Sequence, residues 1–276
     1  MNVLMCPVCS DELVKNNNKY ICKNNHSFDV SRKGYVNLLM SNASGNKRHG
    51  DDKMMVEARR DFLNKGYYRP LADEISKIIV RNLCQTKDIS VFECGCGDCY
   101  YMEILKKHLD KNLINNAFWG CDISKEVLPY GKKRMENSTL FVASATKLPI
   151  LDNSIDVAMS VFAPCNFNEF SRVVKNGGIV VKVIPLEKHL IELKENLYKD
   201  VYLNRPVVEE HSDFEIITNV KQEYVFEITN REDLENLFKM TPYYYKTGID
   251  AQKKLLSTDK MKITASFGII CYKKIK

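Results

Sequence analysis

The chain has no run of eighteen apolar residues; its longest candidates, GGIVVKVIPL and FGIICY, are strand-length, so no membrane-spanning helix is expected. Ten cysteines in 276 residues fall far below the density of a disulfide scaffold. The N-terminal MNVLMCPVC also lacks the basic segment and apolar stretch of a secretion signal. Together these absences point to a soluble protein of the reducing cytoplasm. There is no internal repeat and no low-complexity tract beyond an Asn/Lys bias, so solenoids and disordered tails are not expected. What remains is a length sufficient for one large domain with a small appendage. The net charge is +6, and the first sixty residues contribute ten Lys/Arg against six Asp/Glu. That bias suits a polyanion such as RNA, and equally suits a solvated lysine-rich surface.

The cysteines are not evenly spread. Cys6 and Cys9, then Cys22 and His26, give the spacing C-x2-C, twelve residues, C-x3-H. A two-residue gap lets two thiolates reach one ion from a tight turn, and a second pair closes a tetrahedral cage around zinc. The intervening DELVKNNNKYI carries an Asn-rich hairpin signal that would bring the pairs together. Four protein ligands leave no open position for substrate, so the zinc is expected to be structural.

Beyond the zinc segment (1–40), SNASGNKRHGDDK has the composition of a linker (41–53), and the remainder (54–276) forms the second unit. Helices are expected in MMVEARRDFLNKG and LADEISKIIVRNL. From Ile89 the pattern alternates between strand and helix up to the strand GIVVKVI, which implies a doubly wound parallel sheet. Helix HLIELKENLYKD follows, then strand-like EIITNV and EYVFEI, a helix REDLENLFKM, and a last strand TASFGIICYKK. These late strands could close the sheet as an antiparallel hairpin.

FECGCGDCYY follows one of these strands and opens a helix. Gly95 and Gly97 allow a ligand to pass close to the backbone, and the crevice beyond the strands' carboxyl ends is where nucleotide-type ligands bind. Asp122 ends the next strand, twenty-five residues after Gly97, and its carboxylate could accept from both ribose hydroxyls. The loop reads E-x-G-x-G-x-C, with Glu93 ahead of the glycines and Cys99 where a third glycine often stands. This resembles the first motif of class I S-adenosylmethionine-dependent methyltransferases. With it go Ile123 beside Asp122, and Ser144 and Ala145 just past a later strand, as expected cofactor contacts. Cys94, Cys96 and Cys99 are expected to be small packing residues, not a second metal site.

Taken in order, the zinc pattern, HSFDVSRKGYVNLL, ARRDFLNKGYYRPL, FECGCGDCYY, VFAPC, RVVKNGG, HLIELK and MTPYYYK resemble the RlmA family of 23S rRNA (guanine-N1)-methyltransferases, nearly end to end. The resemblance implies a Rossmann-like mixed α/β sheet with helices on both faces, plus a small N-terminal zinc-binding domain that serves RNA recognition. It implies methyl transfer from S-adenosylmethionine to N1 of a guanine in the hairpin 35 loop of 23S rRNA, by a homodimer that grips RNA between its subunits.

Guanine N1 carries a proton, so the site must orient the base and move that proton. Pro164, just after the fourth strand of the alternating region, is expected to form a rigid turn facing the base. His189 and Glu192, three residues apart on an expected helix, are candidate proton acceptors. Cys165 lacks a paired base and is expected to be a filler. An extruded guanine can stack on an aromatic ring; the candidates are Tyr67, Tyr68, Phe162 and the tyrosines at 243 to 245, with Tyr243 first. Two other readings stay open: a methyltransferase acting on a small, quinone-like acceptor, and an RNA-binding protein whose sheet domain is catalytically idle.

Overall fold

The computed structural model describes residues 2–40, 52–83 and 88–276. In the small unit, β1 (Val14–Asn16) and β2 (Lys19–Ile21) are joined by a turn in which Asn17 takes the left-handed conformation, φ 52°, that Asn tolerates. β3 (Ser27–Asp29) completes an antiparallel three-stranded sheet. The next strand, β4 (Tyr35–Asn37), leaves that sheet for the large one.

The large sheet is built on β5 (Asp88–Cys94), β6 (Asn115–Asp122), β7 (Thr139–Val142), β8 (Ile155–Val161) and β9 (Val174–Pro185), all parallel, with β10 (Phe214–Ile228) and β11 (Met261–Lys274) antiparallel at one side. The strand order is β10-β11-β9-β8-β5-β6-β7-β4. The chain therefore steps outward from β5 in both directions, and the crevice between the ends of β5 and β8 is the topological switch point. Strands β5 and β8 are buried almost throughout because both their faces are covered, whereas the edge strand β10 alternates between exposed and half-buried residues. EIITNV and EYVFEI belong to this one strand, with a register shift between Ile216 and Thr218.

One face of the sheet is packed by α1 (Lys53–Asn64), α2 (Arg69–Asn82), α3 (Tyr100–Lys111), α4 (Leu128–Arg134), α6 (Ile191–Leu197) and α7 (Arg231–Lys239), whose apolar stripes share one core with Val91, Met159 and Phe267. The short α8 (Tyr243–Lys246) and α9 (Ile249–Leu255) add Tyr243 and Leu255 to it. On the opposite face, α5 (Phe167–Val173) covers part of the apolar surface. The zinc unit covers much of the rest: Val3, Leu4, Leu13 and Leu38 pack with Phe92, Trp119, Phe141 and Ile150 in a second core. An apolar sheet face must be buried against something, and here the small N-terminal unit does part of what further helices would do.

The zinc segment and the sheet domain are thus contiguous in space. β4 pairs in parallel with β7, Tyr35 opposite Leu140, and Leu4 bridges Ile150. Except for Asp52 and Lys53, the expected linker 41–53 lies outside the described residues. Asp52 caps α1 by accepting from the Met55 amide at 2.9 Å. No described helix is long and apolar enough to cross a membrane.

Candidate active site

The metal ligands stand on two similar turns. The Ser10 amide donates to the Cys6 carbonyl at 2.9 Å and the Asn25 amide to the Cys22 carbonyl at 3.0 Å. Ser10 and Asn25 take left-handed φ values of 63° and 62°. These turns present Cys6 with Cys9, and Cys22 with His26. All four donor atoms lie within 4.8 Å of one another; Cys9 Sγ is 3.6 Å from Cys22 Sγ, and Cys22 Sγ is 3.3 Å from His26 Nδ1. Sulfurs bound tetrahedrally at about 2.3 Å from zinc stand roughly 3.8 Å apart, so the set fits the ion. Asp11 braces both turns, accepting from Asn24 Nδ2 at 2.6 Å and pairing with Lys23 at 2.7 Å. Three thiols and an imidazole suit zinc, and the closed set makes it structural. Among the described residues no second such cluster occurs. Hydrogen bonding to Cys121 and burial push the Cys94 thiol up, and hydrogen bonding to Cys99 and burial do the same for Cys96, as for packing thiols.

A cleft of about 670 Å³ opens at the switch point. Its floor is the glycine turn, stapled to β6 by the amides of Gly95 and Cys96, which donate to the Cys121 carbonyl at 2.8 and 2.9 Å. Gly95 and Gly97 have φ values of 73° and 53°, in the region that glycine favours. At Gly95 a Cβ would come within 2.4 Å of Ala163 Cβ, whereas at Gly97 it would project into open space. The Asp122 carboxylate accepts from the Gly97 amide at 3.1 Å and the Ser124 amide at 2.9 Å. The cofactor candidates Glu93, Gly95, Gly97, Asp122, Ile123, Ser144 and Ala145 all line this cleft.

Glu93 is 1% exposed, and its Oε2 has no hydrogen-bond partner. Burial, then the charges of Asp98 and Asp122, push its carboxyl well above the ordinary carboxylate range. An orphaned buried oxygen facing a cleft, beside a glycine turn open at Gly97, is the donor-poor cradle that a cationic nucleoside such as S-adenosylmethionine would satisfy. Arg134 belongs to no sequence motif, yet it organises the turn. Its guanidinium donates to the Asp98 carbonyl at 3.1 Å and carboxylate at 2.6 Å, to Glu103 at 2.7 Å and to Asn64 at 2.7 Å, locking the glycine turn to α1 and α3.

The other end of the cleft is lined by Tyr68, Phe162, Pro164, His189, Tyr202 and Tyr243. Phe162 is 43% exposed and left-handed at φ 56°, a conformation a bulky residue rarely takes. It aims an aromatic face into the cleft and lies stacked against His189, at 6.3 Å and 15°. His189 is buried, and burial with the nearby Lys194 charge pushes its pKa down to about 3. The neutral ring accepts the Ser266 amide at Nδ1 (3.3 Å), so Nε2 carries the hydrogen, 3.4 Å from the Tyr68 hydroxyl. It therefore offers a donor, not a proton acceptor. Burial pushes the Cys165 thiol up to about 12, consistent with a filler.

Two sequence candidates stand outside the cleft. Tyr67 is stacked on Phe62 at 4.9 Å and donates to the buried Asp233 at 2.7 Å, tying the α1–α2 turn to α7; its neighbour Tyr68 is the cleft residue. Glu192 accepts from the Thr264 amide at 2.8 Å and from its hydroxyl, anchoring α6 to β11. The three tyrosines of MTPYYYK are not exposed together: Tyr243 is buried, Tyr244 packs on Phe238, and Tyr245 bonds to Asp52.

Residues 4–44 match a family model described as RlmA, N-terminal, and residues 92–182 one described as a methyltransferase domain. A 23S rRNA (guanine(748)-N1)-methyltransferase of Streptomyces fradiae is 31% identical over 196 residues, 70% of this chain and 67% of its own. YxjB of Bacillus subtilis (strain 168), provisionally named as a 23S rRNA (guanine-N1)-methyltransferase, is 29% identical over 279 residues, 98% of this chain and 96% of its own. The ubiquinone/menaquinone biosynthesis C-methyltransferase UbiE of Rickettsia felis is 29% identical over 183 residues, 63% of this chain and 67% of its own.

Stripping zinc by chelation, or Cys22→Ser, should red-shift the emission of Trp119, the sole tryptophan, because Cys22 and Trp119 share one core; unchanged emission would contradict the shared core. Glu93 has a folded pKa above its unfolded one, so the native state binds the extra proton between the two values. The stability of the chain alone should then fall as pH rises through that window. A cation bound beside Glu93 expels the proton, so the affinity for S-adenosylmethionine should rise with pH across it. Glu93→Gln should flatten both dependences in calorimetric titrations and thermal melts, and a persistent slope would show that Glu93 is not the group responsible.

Proposed function

This chain belongs to the family of 23S rRNA (guanine-N1)-methyltransferases, and from that premise we propose that it transfers a methyl group from S-adenosylmethionine to N1 of a guanine in the hairpin 35 loop of 23S rRNA. The observation that carries this reading is the division of the cleft. Its only carboxylates, among the described residues, are Glu93, Asp98 and Asp122 at the glycine turn, while the far end is rich in aromatic rings and carries the Arg59 guanidinium, which donates to the Met240 carbonyl at 3.2 Å. One end suits a cationic nucleoside cofactor; the other suits a flat neutral base.

Glu93, Gly95, Gly97, Asp122, Ile123, Ser144 and Ala145 are the proposed cofactor contacts, with Asp122 accepting from the ribose. When bound, S-adenosylmethionine supplies an electrophilic methyl on a sulfonium. The protein contributes position. Phe162 stacks the extruded base, and Pro164 with Ala163 fixes the turn that carries it. His189, held neutral, gives its Nε2 hydrogen to O6 of the guanine, stabilising the charge that builds as N1 loses its proton. Forming the N1–CH3 bond breaks the S–CH3 bond and yields N1-methylguanine, S-adenosylhomocysteine and one proton, which leaves to water. Tyr243 backs this wall from its buried position.

The zinc unit and its basic residues support a docking role on RNA, which a small quinone-like acceptor would not need. Cytoplasmic location and a homodimer belong to the same proposal. The test is a hairpin 35 transcript incubated with S-adenosylmethionine. An N1 methyl blocks Watson–Crick pairing, so reverse transcription should stop beside one loop guanine, and Phe162→Ala should lower kcat/KM by roughly tenfold or more. Methylation confined to small molecules, with no stop, would sink the rRNA reading.

A further inference from the structure

Residues 198–213 connect α6 to β10 without helix or strand. Val201, Tyr202, Leu203, Val207 and Val208 in this strap account for five of the fifteen exposed large apolar side chains among the described residues. Apolar exposure gathered in eight residues marks a binding surface more than scattered exposure does. The strap is also held firmly. The Asn204 amide donates to the Glu187 carbonyl at 3.1 Å, its side chain donates to the Leu186 carbonyl at 2.8 Å, and Glu209 pairs with Lys182.

Lys194 does most of the holding. It has no exposed surface, yet among the described residues its ammonium meets neutral groups: the Tyr202 carbonyl at 3.3 Å, Asn204 Oδ1 at 2.8 Å, and the rings of Tyr202 and Tyr243 at 4.9 and 5.9 Å. Burying a charge without a counter-ion is costly, and the return here is a fixed Tyr202 and Asn204. A hollow of about 610 Å³ lies over Tyr202, Leu203, Asn204 and Arg205. It shares Tyr202 and Asn204 with the cleft, so the two form one continuous surface. Tyr202 offers a ring on a residue 49% exposed, Leu203 an apolar flank, and exposed Arg205 a cation at the lip. A stacking face beside a guanidinium is the chemistry that takes up a single-stranded nucleotide.

We propose that Tyr202 to Arg205 form a second nucleotide subsite, which holds the residue flanking the target guanine with its base against Tyr202 and its phosphate against Arg205. The subsite rests on the reading of the cleft as a guanine site, because a polymer that places one base there must lay its neighbour along the adjoining wall. The cation at the lip and the shared wall favour RNA over a second copy of the chain.

The experiment measures the affinity of the full chain, with S-adenosylhomocysteine present, for a fluorescent RNA hairpin of the hairpin 35 sequence, alongside sedimentation and methyl transfer. Tyr202→Ala should weaken RNA binding roughly tenfold while Tyr202→Phe restores it. Arg205→Ala should weaken binding and reduce the salt slope by about one, with S-adenosylhomocysteine affinity unchanged in each variant. Unaltered RNA affinity in Tyr202→Ala and Arg205→Ala would overturn the subsite, and unaltered affinity with loss of a dimer would reassign the strap to a subunit interface. Wild-type protein that binds the RNA but methylates none would sink the methyl-transfer reading alone; the Tyr202 and Arg205 comparison would still decide the subsite.

Discussion

Everything in this molecule turns on one close approach. At the end of β5 the backbone of Gly95 lies so near Ala163 that any Cβ would stand 2.4 Å from the alanine methyl. On the other side Gly131 of α4 lets that helix sit against Gly97 and Cys99, where a Cβ would be 3.2 Å from the Gly97 carbonyl. With side chains at these positions, the loops after β5 and β8 and the helix α4 would be forced apart. Without them, the turn can curl under the cleft, Arg134 can reach Asp98, and Ala163 can bring Phe162 and Pro164 to the opposite wall. The proposed cofactor floor and the proposed acceptor wall are therefore two sides of a single contact.

The zinc unit enters the account as part of the fold. It buries the sheet face that helices leave open, and its β4 extends the sheet beyond β7. Leu4, fully buried in that shared core, is of the class whose truncation to alanine costs about 2–5 kcal/mol. RNA docking by this unit would then be transmitted to the strands that carry Glu93 and Asp122 through the β4–β7 pairing and the shared core.

The sequence made local chemistry plain and left distant assembly hidden. The metal ligands, the glycine turn and Asp122 could be read because each is defined by spacing within a strand-turn-helix or a hairpin. The acceptor end is not local: it joins the end of β8, the approach to α6, the strap before β10 and the turn before α8. Helical spacing puts Glu192 with His189, but Leu190 is left-handed and α6 begins only at Ile191, so the two residues are not on one helical face. Tyr67 and Tyr68 are adjacent in a turn between two helices, where no period says which ring faces the cleft; the buried Asp233 of α7 claims Tyr67. Tyr202 lies in a segment with no regular period at all, and its importance becomes visible only through Lys194 beneath it.

One cleft is proposed to hold the methyl donor at its carboxylate end and the target guanine at its aromatic end. The most direct measurement is a crystal structure of the protein with S-adenosylhomocysteine and a short hairpin 35 loop RNA. The homocysteine sulfur is expected beside the glycine turn, with a guanine stacked on Phe162 and its N1 turned toward that sulfur. A guanine bound outside the cleft, or a cofactor lying across Phe162 and Tyr202, would contradict it.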